Sequence, residues 1–142
     1  EFMQELTRLA ADDPRILFTG FVQGHMLAEL YSNAYVYCLP SDLEGMPLSL
    51  LEAMSYGNCC LASDIAECAE VLEDKGVLFQ RGSVESLKQK LEELFQHPEQ
   101  VGRYREEATK YICDKYNWDD VVSKTLLLYY EKFDVRKAKI NR

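Results

Sequence analysis

Along the chain, short runs of β-branched and aromatic residues alternate with stretches whose apolar positions recur every three or four residues. Residues 15–19 (RILFT) have the composition of a strand and stop at Gly20. Met26, Leu27, Leu30, Tyr31 and Ala34 then fall at helical spacing. Residues 35–39 (YVYCL) predict a second strand, ended by Pro40. Residues 47–56 predict a helix, with Pro47 at its first position and Gly57 as its left-handed stop. Residues 58–62 (NCCLA) form a third expected strand, 67–73 a short helix and 77–80 (VLFQ) a fourth strand. Helices are expected over 84–96, 99–116 and 118–133. Strands alternating with helices mean βαβ units and a mainly parallel sheet. YVYCL and CCLA are apolar without alternation, as strands covered on both faces are. The expected fold class is α/β.

Hydrophobic side chains make up 47% of the 142 residues and charged ones 28%, enough for one packed domain or a large part of one. No apolar run approaches the ~20 residues of a membrane-spanning helix. Acidic residues outnumber basic ones 24 to 16, giving a net charge of -8. That balance argues against a nucleic-acid partner, whose binders gather positive charge on one face. The five cysteines are odd in number and lack framework spacing, a pattern that suits a reducing, cytoplasmic setting. Cys38, Cys59, Cys60, Cys68 and Cys113 read as buried thiols, and adjacent Cys59 and Cys60 on one strand point to opposite faces. With no CxxC and only His25 and His97, no metal site is expected. Glu1 and Phe2 ahead of Met3 read as a cloning scar, with no signal peptide.

In open parallel sheets, ligands bind beyond the carboxyl ends of the strands. The richest such place is residues 41–54, SDLEGMPLSLLEAM. Gly45 lets the backbone approach a ligand, and the amides of Met46, Leu48 and Ser49 at the helix start suit a phosphate; Pro47 has none to give. Glu44 lies just before this start and Glu52 lies inside the helix. Eight helical residues span ~12 Å, beyond the ~5–9.5 Å that separates hydrolase carboxylates, so glycoside hydrolysis fits poorly. Accepting hydrogen bonds from hydroxyls on either side of a diphosphate fits better, Glu44 holding a transferred sugar and Glu52 a ribose. By spacing alone, both also read as solvated acids.

The segment E-G-M-P-L-S-L-L-E-A-M, residues 44–54, resembles the E-x7-E motif of retaining GT-B glycosyltransferases of the group 1, GT4-like type. I-L-F-T-G-F-V resembles that family's strand and base-binding turn, and L-A-E-L-Y-S-N-A-Y-V-Y-C-L-P-S its next helix, strand and loop. Y-G-N-C-C-L-A-S-D resembles the family's A-x-G-x-P-V-V-A-S, and N-W its S/N-W before the last helix. The motifs fall in the family's order across nearly the whole chain.

This resemblance implies a Rossmann-like carboxy-terminal half of a GT-B fold, over residues 1–134, without its first two strands. It implies transfer of a sugar from a nucleotide-sugar with retention, and with no metal or other cofactor. Glu44 would touch donor-sugar hydroxyls, the backbone of Gly45, Met46, Pro47 and Leu48 would hold the diphosphate, Glu52 the ribose, and Val22 would flank the base. The family's Arg and Lys that grip the diphosphate, and its amino-terminal acceptor domain, precede the region matched here, so this chain alone is expected to be inactive. Without the first two strands, residues 35–39 become an apolar edge. Either 15–19 then shift beside them or two chains associate there.

His25 reads as a base or phosphate contact or as an ordinary helix-start residue. Trp118, Val121, Val122, Leu126, Tyr129 and Phe133 recur at helical spacing and read as a core stripe, partly exposed if it faces the acceptor domain. Residues 135–142 form a basic tail with Arg136, Lys137, Lys139 and Arg142, which reads as a peripheral contact to anionic lipid or as a solvated terminus. The competing functional class is a non-catalytic nucleotide-sugar-binding or interaction domain on the same fold. A dehydrogenase half fits least, because no GxGxxG follows a strand.

Overall fold

A computed structural model of the protein describes residues 2–140, with side chains to residue 130. The elements run α1 (Phe2–Leu9), α2 (Gly24–Asn33), β1 (Val36–Leu39), α3 (Leu48–Ser55), β2 (Cys59–Ser63), α4 (Ala66–Leu72), β3 (Val77–Phe79), α5 (Val84–Gln96), α6 (Pro98–Lys115) and α7 (Trp118–Ile140). They fall into two compact units, Glu1–Leu30 and Tyr31–Arg142.

In the second unit, β1, β2 and β3 form a parallel sheet in that order, with Val36 opposite Cys59 and Leu61 opposite Val77. Every residue of β2 is buried, as its unbroken apolar run requires. Cys59 and Leu61 face a core of Phe79, Leu94 and Val101, supplied by β3, α5 and α6. Cys60 turns to the other face, where its sulfur lies near Tyr31 and Tyr37. The unit is the expected α/β, Rossmann-like arrangement of parallel strands with flanking helices.

Donors on α6 hold the carboxyl ends of three preceding helices. Arg105 Nη1 donates to Ala34 O (2.6 Å), Thr109 Oγ1 to Ser55 O (3.3 Å), and Tyr111 OH to Val71 O (3.0 Å). Helix carboxyl ends carry unpaired carbonyls and a partial negative charge, which such donors satisfy. Gly57, at φ +74°, closes α3 against this helix: a Cβ there would lie 3.3 Å from Thr109 Oγ1. The starts of α3 and α4 are left at the carboxyl edge of the sheet.

Four sequence expectations are corrected. Residues 15–19 form no strand, because Ile16 N bonds back to Asp13 O (3.1 Å) and Arg15 chelates the Asp13 carboxylate. A lone strand without a ladder partner is unstable, and no described strand pairs with this one or with the outer edge of β1. Pro47 is the cap before α3 rather than its first residue (φ -75°, ψ 74°). The stripe on α7 is not core: Trp118 is 79% exposed and Tyr129 63%, because no packed neighbour among the described residues covers the helix and every described side chain from 118 to 130 is exposed. Cys113 is exposed and Cys38 half-buried, unlike the three buried thiols. Residues 2–9, to which the pattern assigned no element, form α1. The Phe133 side chain and those of the basic tail, Arg136, Lys137, Lys139 and Arg142, lie outside the described residues.

Candidate functional site

At the carboxyl end of β1, Pro40 stops the strand and the chain turns through residues 41–47 into α3. Ser41 Oγ donates to Glu44 Oε1 at 2.6 Å, fixing one oxygen of a half-buried carboxylate. Gly45 and Met46 are exposed, and Pro47 is buried beneath them. A Cβ on Gly45 would meet nothing within 4 Å, so the backbone there opens onto free space. The sequence expectation of outward amides is only partly met. Leu48 N turns back to Met46 O (2.8 Å), and Pro47 O takes Leu50 N and Leu51 N (2.9 and 3.1 Å). That early turn uses the Leu48 amide internally, leaving Met46 and Ser49 as donors for an anion.

Glu52 sits on the fifth residue of α3 with an exposed side chain. Tyr31 OH, from the end of α2, lies 3.3 Å from Glu52 Oε2 and 3.4 Å from Ser49 O. Tyr37, on β1, lies near Ser49, and burial pushes its phenol up against the smaller downward pull of that neighbour. Burial also pushes the Cys68 thiol up to about 11, with the Glu44 and Glu67 carboxylates adding to it. Tyr31 and Ser41 were missed as site residues by sequence reasoning. The signal for Tyr31 was a tyrosine on an apolar helix face, whose buried hydroxyl needs a partner.

Beside the loop, Asp42, Asp64, Glu67 and Arg81 line a polar cleft of about 400 Å³ at the ends of all three strands. Arg81 ties the loops together, its amide donating to Asp64 Oδ1 (2.7 Å) and its guanidinium to Asp42 O (3.4 Å). On the other flank of α3, Met46, Leu48, Glu52, Cys113, Tyr116 and Trp118 border an apolar groove of about 560 Å³. Asn117 caps α7 there, its Oδ1 accepting from Asp119 N (2.8 Å) and Asp120 N (3.2 Å). Val22 belongs to the first unit, half-buried just ahead of α2. The exposed His25 pairs along its own helix with Glu29 (3.6 Å). Glu44, Gly45, Met46, Pro47, Leu48 and Glu52 are brought together on one loop and helix start; Val22 stands in the other unit.

The sequence profile of the family described as "Glycosyl transferases group 1" matches residues 1–97. The chain belongs to the group 1 glycosyltransferases. It is 30% identical over 128 residues to the sulfoquinovosyl transferase SQD2 of Arabidopsis thaliana, covering 87% of this chain and 25% of that protein. It is 30% identical over 115 residues to the MMP alpha-(1→4)-mannosyltransferase of Mycolicibacterium hassiacum, covering 79% of this chain and 28% of that one. The chain thus spans about a quarter of these relatives, 25% and 28% of their lengths. Among solved structures, sucrose-phosphate synthase from Thermosynechococcus elongatus superposes on 94% of this chain and 34% of its own, with a TM-score of 0.81 and 22% identity. TarM superposes on 91% of this chain and 27% of its own, with a TM-score of 0.77 and 20% identity. These glycosyltransferase neighbours give the fold: the carboxy-terminal Rossmann-like half of a GT-B protein.

Proposed function

We propose that this chain is the donor-binding part of a retaining, GT4-like glycosyltransferase that moves a sugar from a nucleotide-diphosphate-sugar to a glycan, lipid or small-molecule acceptor. The observation that carries this reading is the placement of Glu44, Gly45 and Glu52 about the start of α3, at the carboxyl end of β1. Glu44, held by Ser41, accepts hydrogen bonds from donor-sugar hydroxyls. The diphosphate lies against the open backbone at Gly45 and the amides of Met46 and Ser49, where the helix end favours negative charge. Glu52 takes the ribose. The residues of this site do the work without a metal. Two relatives named for glycosyl transfer support the reaction class.

Acceptor binding belongs to the rest of such a protein. Without it no attacking hydroxyl is positioned, and the 142-residue chain alone transfers no sugar. Its hold on the donor is also weak. An exposed helix start contributes only about 0.3–1 kcal/mol towards an anion, and a net charge of -8 repels a diphosphate.

The test is calorimetry and turnover on the full-length protein, with UDP, GDP and ADP and their sugars. Glu52→Ala weakens nucleoside diphosphate binding by about 1–3 kcal/mol, as expected for a lost charge-assisted hydrogen bond. Glu44→Ala spares the nucleoside diphosphate and lowers nucleotide-sugar binding and turnover. Equal losses of nucleoside diphosphate affinity would overturn this division.

A further inference from the structure

Glu52 is exposed on the surface of α3, so its carboxylate owes its direction to whatever reaches it from another element. We infer that Tyr31 is a positioning residue for nucleotide binding: its ring is locked in the core, and its hydroxyl holds one oxygen of Glu52, leaving the other for a ribose hydroxyl. This rests on the reading of Glu52 as the ribose contact.

The lock has several parts. Tyr31 is only 8% exposed. Its ring stacks on Tyr56 (5.4 Å between centroids, 19° between planes) and leans on Tyr37 (5.7 Å, 50°). Its carbonyl accepts from the buried Asn58 Nδ2 at 2.9 Å, and the same amide group donates to Ala53 O at 3.0 Å. One side chain thus joins the end of α2 to the end of α3. A ring held this way cannot swing aside, so its hydroxyl is a fixed point 3.3 Å from Glu52 Oε2 and 3.4 Å from Ser49 O. A single O–H shared between two acceptors is long to both, which suits orientation rather than tight binding. Burial, then the charges of Tyr37 and Glu52, push the Tyr31 phenol well above its ordinary value. The hydroxyl therefore keeps its proton and remains a donor across the neutral range. Ser49 O lies on the same turn as Glu52, so Tyr31 fixes the acid relative to the helix that carries it.

Tyr31→Phe removes one oxygen and keeps the stacked ring, which separates positioning from packing. The experiment is a four-protein cycle in the full-length chain: wild type, Tyr31→Phe, Glu52→Ala and the double variant. Each is titrated with UDP, GDP and ADP, and with the 2′- and 3′-deoxy forms of the tightest binder, alongside thermal melting. Tyr31→Phe should weaken the ribonucleotide about two- to tenfold, less than the full worth of a charge-assisted bond, because the bond is long and acts through Glu52 and not on the ligand itself. It should do nothing further in the Glu52→Ala background, and its effect should vanish with the deoxynucleotide that lacks the contacted hydroxyl. Equal losses in both backgrounds, or a loss that follows the melting temperature alone, would overturn the positioning role and leave the ribose contact standing. A silent Tyr31→Phe beside a damaging Glu52→Ala would do the same. If Glu52→Ala itself is silent, the ribose contact falls and the positioning role falls with it.

Discussion

Ser41 Oγ donates a 2.6 Å hydrogen bond to Glu44 Oε1, closing the short loop between β1 and α3 on itself. The bond spends one carboxylate oxygen on the loop and, in the donor-sugar role proposed for Glu44, leaves the other for the ligand. Ser41→Ala should therefore leave nucleoside diphosphate affinity unchanged and reduce turnover of the full-length enzyme. The loss of one hydrogen bond to a charged group, about 1.5–3 kcal/mol, corresponds to roughly a 10- to 150-fold fall in kcat if it is felt wholly in the transition state. Steady-state kinetics beside calorimetry checks both halves; a matching loss of nucleoside diphosphate affinity would place Glu44 on the wrong ligand group.

Two glycines give opposite expectations. At Gly45 an added Cβ meets nothing within 4 Å, whereas at Gly76 it would sit 2.6 Å from Leu72 Cδ2 and 3.0 Å from Cys60 O. Gly45→Ala should change stability by no more than about 0.5 kcal/mol, yet weaken the nucleotide-sugar, because in the proposed site the methyl takes up space assigned to the diphosphate. Gly76→Ala drives a methyl into the buried Leu72 side chain and the Cys60 carbonyl and should cost about 1–3 kcal/mol. Urea midpoints and calorimetry on the same preparations separate the two outcomes.

Glu73 ends α4 at φ 46°, ψ -119°, a conformation open to glycine and strained for glutamate. Its carboxylate meets Lys115 Nζ at 2.6 Å, and the same ammonium donates to Glu70 O. Glu73→Ala and Glu73→Gly both lose the ion pair, but only glycine relieves the backbone. The glycine variant should be the more stable of the two by about 1–3 kcal/mol. Lys115 also holds the Glu73 carboxyl below its ordinary value of 4.5. A depressed folded-state pKa gives a contribution that is complete above 4.5 and lost as pH falls through the lower, folded-state value. The advantage of wild type over Glu73→Gln should therefore shrink only in acid, which denaturation midpoints at neutral pH and pH 3 would reveal.

How much of this was legible in the sequence divides along a physical line. Local pattern gave the α/β class, β2 as a strand covered on both faces, and α5 with its bounds as observed, its start marked by Ser83 accepting from Ser86 N. The grouping of residues 44–52 on one loop and helix start was also readable, because it is local. What the pattern could not give depends on partners. Residues 15–19 have strand composition but no neighbour to make a ladder with. The α7 periodicity says which side chains share a face, and nothing about whether a face is covered. The bonds Tyr31–Glu52 and Arg81–Asp64 join residues 21 and 17 positions apart, where only the folded sheet brings them together.

The cysteines offer a direct check on the fold that needs no ligand. Cys59, Cys60 and Cys68 are fully buried, Cys38 is half-buried, and Cys113 is exposed on the border of the apolar groove. Thiolate rather than thiol attacks an alkylating reagent, so burial protects twice, by blocking approach and by suppressing ionisation. Burial pushes Cys59 and Cys68 up to about 11, and Cys60 higher still. At pH 8 a thiol of pKa about 11 is ionised in roughly one molecule in a thousand, before any steric block is counted. Iodoacetamide at pH 8 should therefore label Cys113 first and Cys38 slowly. Cys59, Cys60 and Cys68 should label only once urea opens the sheet, and together, since all three lie in one unit around β2. Peptide mapping by mass spectrometry at increasing urea reads this order. Early labelling of Cys60 in native buffer would mean that β2 is not the covered central strand, and the sheet order β1-β2-β3 would have to be redrawn.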